Sequence, residues 1–402
     1  MPERAQKLDP PKTGQPDADL AGRRRQQALR LDGPAGILPR QEIRNLLHRG
    51  ILRATVDIDE SQLQPASVDL RLGDKAHRVR ASFLPGRAKT VEEQLEELSG
   101  DVLSLADGAV LERGCVYVVE LIEHIEELPD NISAIANPKS STGRLDVFTR
   151  LITDRSEVFD HVASGYVGRL YAEISPSSFS IKVRKGSRLN QLRFRRRNSQ
   201  QSEHGEFKLR DKRLAAIHAM APLVEGEPKL RNGLLLHIEL GPLSTGGVIG
   251  YRAQRYTDVV DVDRVGAHAL HDYWEPIYAR DDRRLVLDPN QFYILVSKER
   301  LHIPPTLAAE MVPIDPMMGE FRVHYAGFFD PGFGYSPEGH PGSRAVLEVR
   351  SHEVPFVLED GQVVGRLAFE DMTGEPDVLY GQGGTSNYQG QALKLSKHFR
   401  ME

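Results

Sequence analysis

The chain has 402 residues, 40% hydrophobic and 27% charged, and this length exceeds one ordinary core, so we expect two domains. The formal net charge of −5 disfavours a general nucleic-acid binder, so an anionic substrate needs a local cluster of cations. The single cysteine, Cys115, excludes an intrachain disulfide and a cysteine-based zinc site. Since the chain has neither a membrane-spanning apolar run nor the apolar segment of a signal peptide, we expect a cytoplasmic protein.

The first hundred residues predict an arm, a helix and a strand. Residues 1–34 are polar and charged, which is typical of a disordered or loosely attached arm. A helix with one apolar face begins near residue 39. Residues 64–73 alternate apolar and polar side chains and predict a strand that enters a turn at Gly73. Residues 92–98 predict a short helix inside an insertion.

From residue 110 onward the predicted elements are short strands. They cover residues 116–121, 147–152, 169–174, 181–183 and 189–194. Short strands at regular spacing, with Gly and Pro between them, are typical of a β-sandwich or barrel. We interpret the basic run over residues 193–197 as a solvated strand end. Residues 199–230, which include a helical piece near residues 214–220, are interpreted as the connection between domains.

The second half of the chain repeats the first. The segment AVLERGCVYVVELIEHIEELPDNISAIANPKSSTGRL aligns without a gap with LVLDPNQFYILVSKERLHIPPTLAAEMVPIDPMMGEF, and Tyr117 falls opposite Tyr293. VRKGSRLNQLRF then aligns with LEDGQVVGRLAF. A match over two such long segments is hard to obtain by chance. We therefore expect two tandem β-rich domains, residues 35–198 (copy one) and residues 231–402 (copy two).

The two copies differ at the positions that can carry chemistry. In copy one, Lys139 and Arg144 of the segment NPKSSTGRL can meet phosphate oxygens. The neighbouring Ser140 and Ser141 can donate hydrogen bonds, although such a segment alone is more often a polar turn. Copy two has lost these residues, but it alone keeps the turn YAGFFDPGFG and a glycine-rich tail over residues 380–391. This pattern predicts one composite site between the copies.

Five segments, LQPASVDLRLG, KSSTGRL, YAGFFDPGFG, AVLEV and NYQGQALKLS, occur in this order and resemble the dCTP deaminase branch of the trimeric dUTPase-like superfamily. The resemblance spans most of residues 36–398 and is closest to the long, duplicated bacterial form. It implies a mainly β fold of two tandem dUTPase-like distorted β-barrel (jelly-roll-like) domains with a few short helices. It also implies a homo-oligomer with sites at repeat interfaces.

The resemblance also implies roles for individual residues. The catalytic serine falls on Ser140 and the arginine beside the pyrimidine on Arg144. The catalytic glutamate falls on Glu348 in copy two and on Glu173 in copy one. The residues expected to bind substrate are Lys139, Ser141, Ala326, Asp330, Tyr380, Tyr388 and Gln391. Among these, Asp330 is suited to the sugar hydroxyl or to activating water at the α-phosphate, and equally to forming a turn before Pro and Gly.

The chemistry of cytosine deamination limits the choice of groups. A zinc deaminase needs a pattern of the type H-x-E and P-C-x-x-C, which a chain with one cysteine lacks. A metal-free site uses a carboxyl as proton carrier, with a pKa raised by burial. Glu348 and Glu173 each lie between apolar neighbours on a predicted strand. This alternation alone favours a solvent-facing position on an amphipathic strand for both residues, whereas the repeat and the resemblance favour a catalytic role for Glu348.

These considerations predict a metal-independent hydrolytic deaminase that converts dCTP to dUTP and ammonia in pyrimidine deoxynucleotide synthesis. Two alternatives remain open: a bifunctional enzyme that continues to dUMP, and a non-catalytic nucleotide-binding regulator. We expect Mg²⁺ to be associated with the triphosphate and no zinc to be bound. The expected partners are the nucleotides dCTP and dUTP, without nucleic acid or membrane.

Overall fold

A computed structural model describes the chain over residues 30–198, 207–243, 246–312, 321–324, 327–335, 342–351, 353–382 and 388–400. Most of the predicted arm and part of the predicted connection therefore lie outside the described residues. No helix within the described ranges is long and apolar enough to cross a membrane.

Copy one consists mainly of strands, with three helices. Its elements in chain order are β1 (Gly36–Ile37), α1 (Arg40–His48), β2 (Leu52–Ala54), a 3-10 turn (Glu60–Gln62), β3 (Val68–Val79), α2 (Val91–Leu98), β4 (Ser99–Ser104), β5 (Ala109–Leu111), β6 (Val116–Ile125), β7 (Ile132–Pro138), α3 (Ser140–Gly143), β8 (Val147–Thr153), β9 (His161–Val162), β10 (Gly168–Pro176), β11 (Ile181–Val183) and β12 (Arg188–Arg196). The predicted helix after Pro39 is confirmed as α1, which buries Ile43 and Leu46.

Within the described residues, the connection contributes the helix α4 (Asp211–Met220), and copy two contains strands and a 3-10 turn. The elements of copy two are β13 (Leu234–His237), β14 (Val248–Ala253), β15 (Val260–Asp261), β16 (His268–Ala269), a 3-10 turn (Leu270–Asp272), β17 (Trp274–Tyr278), β18 (Arg284–Leu287), β19 (Phe292–Leu301), β20 (Leu307–Val312), β21 (Phe321–His324), β22 (Phe328–Phe329), β23 (Ser343–Ser351), β24 (Phe356–Glu359), β25 (Val363–Asp371) and β26 (Phe399–Arg400).

The strands of each copy form barrel-like sheets. In copy one the main sheet has the order β8-β10-β6-β3-β12-β7-β9. In copy two the strands form a five-stranded sheet, β17-β14-β19-β23-β21, and a four-stranded sheet, β13-β25-β20-β22. The predicted mainly β, barrel-like fold is confirmed.

Equivalent residues of the two copies make equivalent contacts. The hydroxyl of Tyr117 accepts a hydrogen bond from the Glu112 amide at 3.1 Å, and the hydroxyl of Tyr293 accepts one from the Asp288 amide at 2.9 Å. The long central strands also pair in the same way in both copies, β6 with β10 and β19 with β23. The repeated sequence therefore builds the same local structure twice.

Copy one covers one face of the five-stranded sheet of copy two. Alternate side chains of β19 and β23, such as Leu295 and Leu347, point into a core that belongs to copy two. Their neighbours Ile294 and Val346 belong to a second core, which also contains Leu192 of copy one. The two copies thus share a core. Removal of this second apolar face from water stabilises the contact between the copies.

The equivalent face of copy one is covered differently. Val118, Ile152 and Tyr171 pack against Val91 and Leu95 of α2. The predicted short helix within an insertion is therefore confirmed. Helix α2 thus covers the face of the copy-one sheet that is equivalent to the copy-two face covered by copy one.

The predicted end of the strand at Gly73 is wrong. Strand β3 continues to Val79, and its pairing with β6 shifts register between Leu72 and Ala76. A Cβ atom at Gly73 would lie 2.6 Å from the carbonyl oxygen of Glu120. Glycine is therefore needed here for close approach of two backbones rather than for a turn.

The interpretation of residues 193–197 as a solvated strand end is also wrong. β12 lies between β3 and β7 rather than at an edge. The side chain of Arg193 is buried, Arg195 pairs with Glu370 of copy two, and Arg196 pairs with Glu42 of α1. The basic run therefore links elements that are distant in sequence.

Trp274 lies in the shared core, with its ring centroid 5.4 Å from that of Phe179 and 5.9 Å from that of Phe399. We expect Trp274→Ala to lower the free energy of unfolding by about 3–5 kcal/mol, because it leaves a cavity between the copies. Guanidinium unfolding of the wild type and the variant measures this change. Tyr256→Ala is the control, since that side chain is 91% exposed. Equal unfolding midpoints for the two variants would contradict the shared core.

Candidate active site

A cavity of about 520 Å³ lies between the two copies. All the predicted site residues line it except Glu173, which lies elsewhere, and Ala326, which is outside the described residues. The lining residues from copy one are Lys139, Ser140, Ser141 and Arg144, and those from copy two are Asp330, Glu348, Tyr380, Tyr388 and Gln391.

The polar segment of copy one is anchored to a neighbouring strand. It forms the single helical turn α3 directly after β7. The Lys139 amide donates to the carbonyl oxygen of Leu189 at 2.8 Å, and the Thr142 hydroxyl donates to the same oxygen at 3.0 Å. The ammonium of Lys139 pairs with Asp69 of β3. These contacts hold the turn in place, and Ser140 at its start lines the cavity.

Arg144 joins this turn to the C-terminal tail of copy two. Its Nη1 donates to Oε1 of Gln391 at 3.1 Å and to the carbonyl oxygen of Lys394 at 2.8 Å. The guanidinium carbon lies 3.8 Å from the ring centroid of Tyr388, a cation–π contact. Arg144 is therefore held from two sides by residues of the other copy.

The described part of the tail then contacts both copies. The hydroxyl of Ser396 donates to the carbonyl oxygen of Ser141 at 2.7 Å. Nε2 of His398 lies 2.8 Å from the carbonyl oxygen of Val262. Strand β26 then pairs in parallel with β16. The tail residues 383–387 lie outside the described residues, and the flanking Tyr380, Tyr388 and Gln391 line the cavity. Closure of the tail over phosphates stays a prediction.

Glu348 is buried in the cavity wall and is not solvent-facing. Its neighbours Leu347 and Val349 point into the core of copy two, so its own side chain points to the opposite face. It is 7% exposed. Burial raises its pKa to about 8, while the nearby positive charge of Arg144 opposes that rise. Glu348 is therefore a neutral acid at pH 7, positioned to exchange a proton.

The expectation that Glu173 shares the catalytic work is not supported by its position. Glu173 is 1% exposed, but it lies on the face that the insertion covers. Its Oε1 accepts a hydrogen bond from Nη2 of Arg150 at 2.6 Å. The same guanidinium donates to Ser82 at 2.7 Å and lies 3.5 Å from the ring centroid of Phe159. Glu173 is thus part of an ion pair outside the cavity.

Asp330 is held by an arginine that the sequence did not single out. Nη2 of Arg193 donates to Oδ1 of Asp330 at 3.1 Å, and its Nη1 donates to the carbonyl oxygen of Ala309 at 3.3 Å. The guanidinium carbon also lies 3.9 Å from the ring centroid of Phe328. A residue of copy one therefore positions the turn of copy two. The alternation of apolar and polar residues does not reveal that β12 is a central strand. Knowledge of that central position is what could have indicated the role of Arg193.

Two further cations, Arg188 and Lys397, line the cavity near Lys139. They were also missed, because each lies outside the recognisable motifs. Among the described residues, no group of three or more His, Cys, Asp or Glu side chains is arranged to hold a metal ion.

Family models cover nearly all of both copies. The N-terminal domain of 2′-deoxycytidine 5′-triphosphate deaminase matches residues 34–198, and the C-terminal domain matches residues 210–399. The chain belongs to the dCTP deaminase family. It is accordingly an enzyme of the hydrolase class that acts on C–N bonds.

Individual relatives agree with this membership. The "dCTP deaminase, dUMP-forming" of Sulfurihydrogenibium sp. (strain YO3AOP1) is 29% identical over 164 residues, 39% of this chain and 82% of that protein. The Halobacterium salinarum protein of the same description is 30% identical over 184 residues, 43% of this chain and 87% of that protein. The crystal structure of 2′-deoxycytidine 5′-triphosphate deaminase from Agrobacterium tumefaciens matches with a TM-score of 0.80 and 52% identity, covering 84% of this chain and 99% of that chain.

In this dCTP deaminase family member, Glu348 makes stability depend on pH. The folded state keeps the Glu348 proton up to about pH 8, whereas the ordinary pKa of the group is 4.5. Between these values the folded state binds the extra proton, so the free energy of unfolding falls as pH rises, by about 1.4 kcal/mol per pH unit. Glu348→Gln lacks this contribution. Urea unfolding of both proteins from pH 5 to pH 8 tests it, and parallel curves would exclude the raised pKa.

A second prediction for this family member concerns Arg193. Arg193→Met leaves Asp330 buried without its partner, so we expect a loss of about 3–5 kcal/mol in the free energy of unfolding. Adding Asp330→Asn should recover part of the loss, because the amide carries no charge. Denaturant unfolding of the single and double variants gives the coupling energy. Arg213→Met, which breaks the exposed pair with Asp371, serves as control and should cost less than about 1 kcal/mol.

Proposed function

We propose that the chain hydrolyses the bond between C4 and the amino group of dCTP without a catalytic metal and releases dUTP and ammonia. The observation that carries this proposal is the buried Glu348 carboxyl, neutral at pH 7, in the same cavity as Arg144 and Ser140. Such a carboxyl is suited to carry protons between a water molecule and a pyrimidine ring.

In this mechanism Glu348 moves protons in sequence. The neutral carboxyl donates its proton to N3 of the cytosine, and the resulting carboxylate takes a proton from the water that attacks C4. That proton passes to the amino group, which leaves as ammonia. The carboxylate finally takes the hydroxyl proton as the C4 carbonyl of uracil forms. Each transfer needs a pKa near the working pH, which burial of Glu348 supplies.

Ser140 and Arg144 assist these steps. The Ser140 hydroxyl can hydrogen-bond to the attacking water or to the base, and no histidine is hydrogen-bonded to it within the described residues that would make it a nucleophile. Arg144 supplies positive charge against the negative charge that develops on the base or on the phosphates. Its contacts with the tail fix the position of this charge.

The remaining predicted residues bind the sugar and the phosphates in this proposal. Asp330, fixed by Arg193, accepts a hydrogen bond from the sugar hydroxyl. The phosphates lie along Lys139 and Ser141 and under the tail with Tyr380, Tyr388 and Gln391. Mg²⁺ enters with the triphosphate, held mainly by its oxygens and by water, because Asp69 at this end already pairs with Lys139.

A second candidate is a bifunctional enzyme that continues to dUMP. It is favoured by the names of the Sulfurihydrogenibium and Halobacterium relatives, both called dUMP-forming. This reaction needs a carboxylate that activates water at the α-phosphate, and Asp330 is the candidate. Burial raises the pKa of Asp330 despite the hydrogen bond that its Oδ1 accepts from Arg193, and this disfavours the carboxylate form that the step requires. We therefore keep dUTP as the proposed product.

The test is an assay of ammonia and nucleotides after incubation of chelator-treated protein with dCTP and added Mg²⁺. We expect equal amounts of dUTP and ammonia. Glu348→Gln should lower kcat by at least about 100-fold, because it removes the proton carrier. Glu173→Gln is the matched control, since it makes the same change on the equivalent strand of copy one, and it should keep kcat within a few-fold.

The products distinguish the alternatives. Ammonia together with dUMP and pyrophosphate would replace the proposal by the bifunctional reaction. Tight binding of dCTP without ammonia release would favour the non-catalytic regulator. Loss of activity in Glu173→Gln, with Glu348→Gln still active, would reverse the assignment of the two glutamates.

A further inference from the structure

The end of the cavity near Lys139 contains a cation without a protein partner. Lys139 pairs with Asp69, and Arg188 donates to the Ser61 hydroxyl at 2.9 Å while lying 4.0 Å from Asp69. Lys397 also lines the cavity. Within the described ranges, no side chain or carbonyl group accepts a hydrogen bond from its ammonium. The cavity thus holds one positive charge that is available to a ligand.

The backbone on both sides of Lys397 is fixed. Its amide donates to the Tyr388 hydroxyl at 3.2 Å, and its carbonyl oxygen accepts from the Gly266 amide at 3.0 Å. The neighbouring side chains of Ser396 and His398 are buried and bonded to copy one and copy two. The side chain of Lys397 is therefore directed into the cavity by its neighbours and not by a contact of its own.

Lys397 and the proton carrier Glu348 both line the cavity, but they have different charged neighbours. The charged groups that act most strongly on its ammonium include Lys139, Asp69 and Arg188, whereas those acting on Glu348 are Arg144 and Asp146. The base therefore fits near Glu348 and the phosphate chain extends toward Lys397. Burial, together with the charge of Lys139, lowers the pKa of the Lys397 ammonium, and an anion bound there relieves this cost.

We propose that Lys397 binds the outer phosphates of the nucleotide and makes the site selective for a triphosphate over shorter nucleotides. This inference rests on the proposed function, because it takes dCTP as the ligand. The tail that places Tyr388 against Arg144 also carries Lys397, so docking of the tail and capture of the outer phosphates occur together. A ligand lacking those phosphates gains nothing from Lys397.

The test compares dCTP, dCDP and dCMP as substrates of Lys397→Met, Lys397→Arg and the wild type. We expect Lys397→Met to lower kcat/KM for dCTP by about tenfold or more, mainly through KM, because a hydrogen bond to a charged group is lost. The value for dCMP should be unchanged, and Lys397→Arg should restore most of the loss. Lys185→Met is the control, since Lys185 pairs with Asp74 and does not line the cavity.

The comparison separates failure of this inference from failure of the proposed function. If the wild type deaminates dCTP and Lys397→Met loses nothing, or loses equally with all three nucleotides, the role of Lys397 is overturned while deamination stands. If the wild type deaminates none of them, the proposed function fails. Equilibrium binding of the same nucleotides then tests Lys397 alone, with equal affinities of wild type and Lys397→Met for dCTP counting against it.

Discussion

The burial of one face of the copy-two sheet by copy one is the constraint on which the site depends. It places Ile294 and Val346 in a core shared with copy one, and it puts Glu348, on the same face of β23, beside residues of copy one. A carboxyl in that position is removed from water, so its pKa rises and it holds a proton at neutral pH. The packing between the copies and the proton chemistry of the cavity therefore have one cause.

The two equivalent glutamates show how far surroundings determine the role of a residue. Glu348 faces the cavity next to Arg144, which is already engaged by the tail. Glu173 faces the insertion and shares a hydrogen-bonded ion pair with Arg150. Burial without a dedicated partner favours the neutral form of the Glu348 carboxyl, whereas the Glu173 carboxyl is held in place by Arg150. The duplicated strands thus carry one carboxyl suited to proton transfer and one suited to structure.

The sequence was sufficient for the repeat, for the barrel-like β fold and for nine of the residues that line the cavity, because alignment of the copies identified what each had lost. It was not sufficient for Arg193 or for the choice between Glu348 and Glu173. The alternation of apolar and polar residues along a strand tells which side chains share a face, but not what covers that face. Arg193 lies on a central strand whose two faces are both covered, so its charge wrongly suggested solvent.

Placing both halves of the cavity on one chain also affects how the site responds to dilution. A site built between separate chains is lost when those chains dissociate. Here the polar turn of copy one and the glutamate strand of copy two are joined covalently, so each meets the other at an effective concentration set by the connecting peptide. The meeting of these two elements is then independent of protein concentration. A substitution in one copy likewise always faces the other copy of the same chain, so compensating substitutions in the two copies are inherited together.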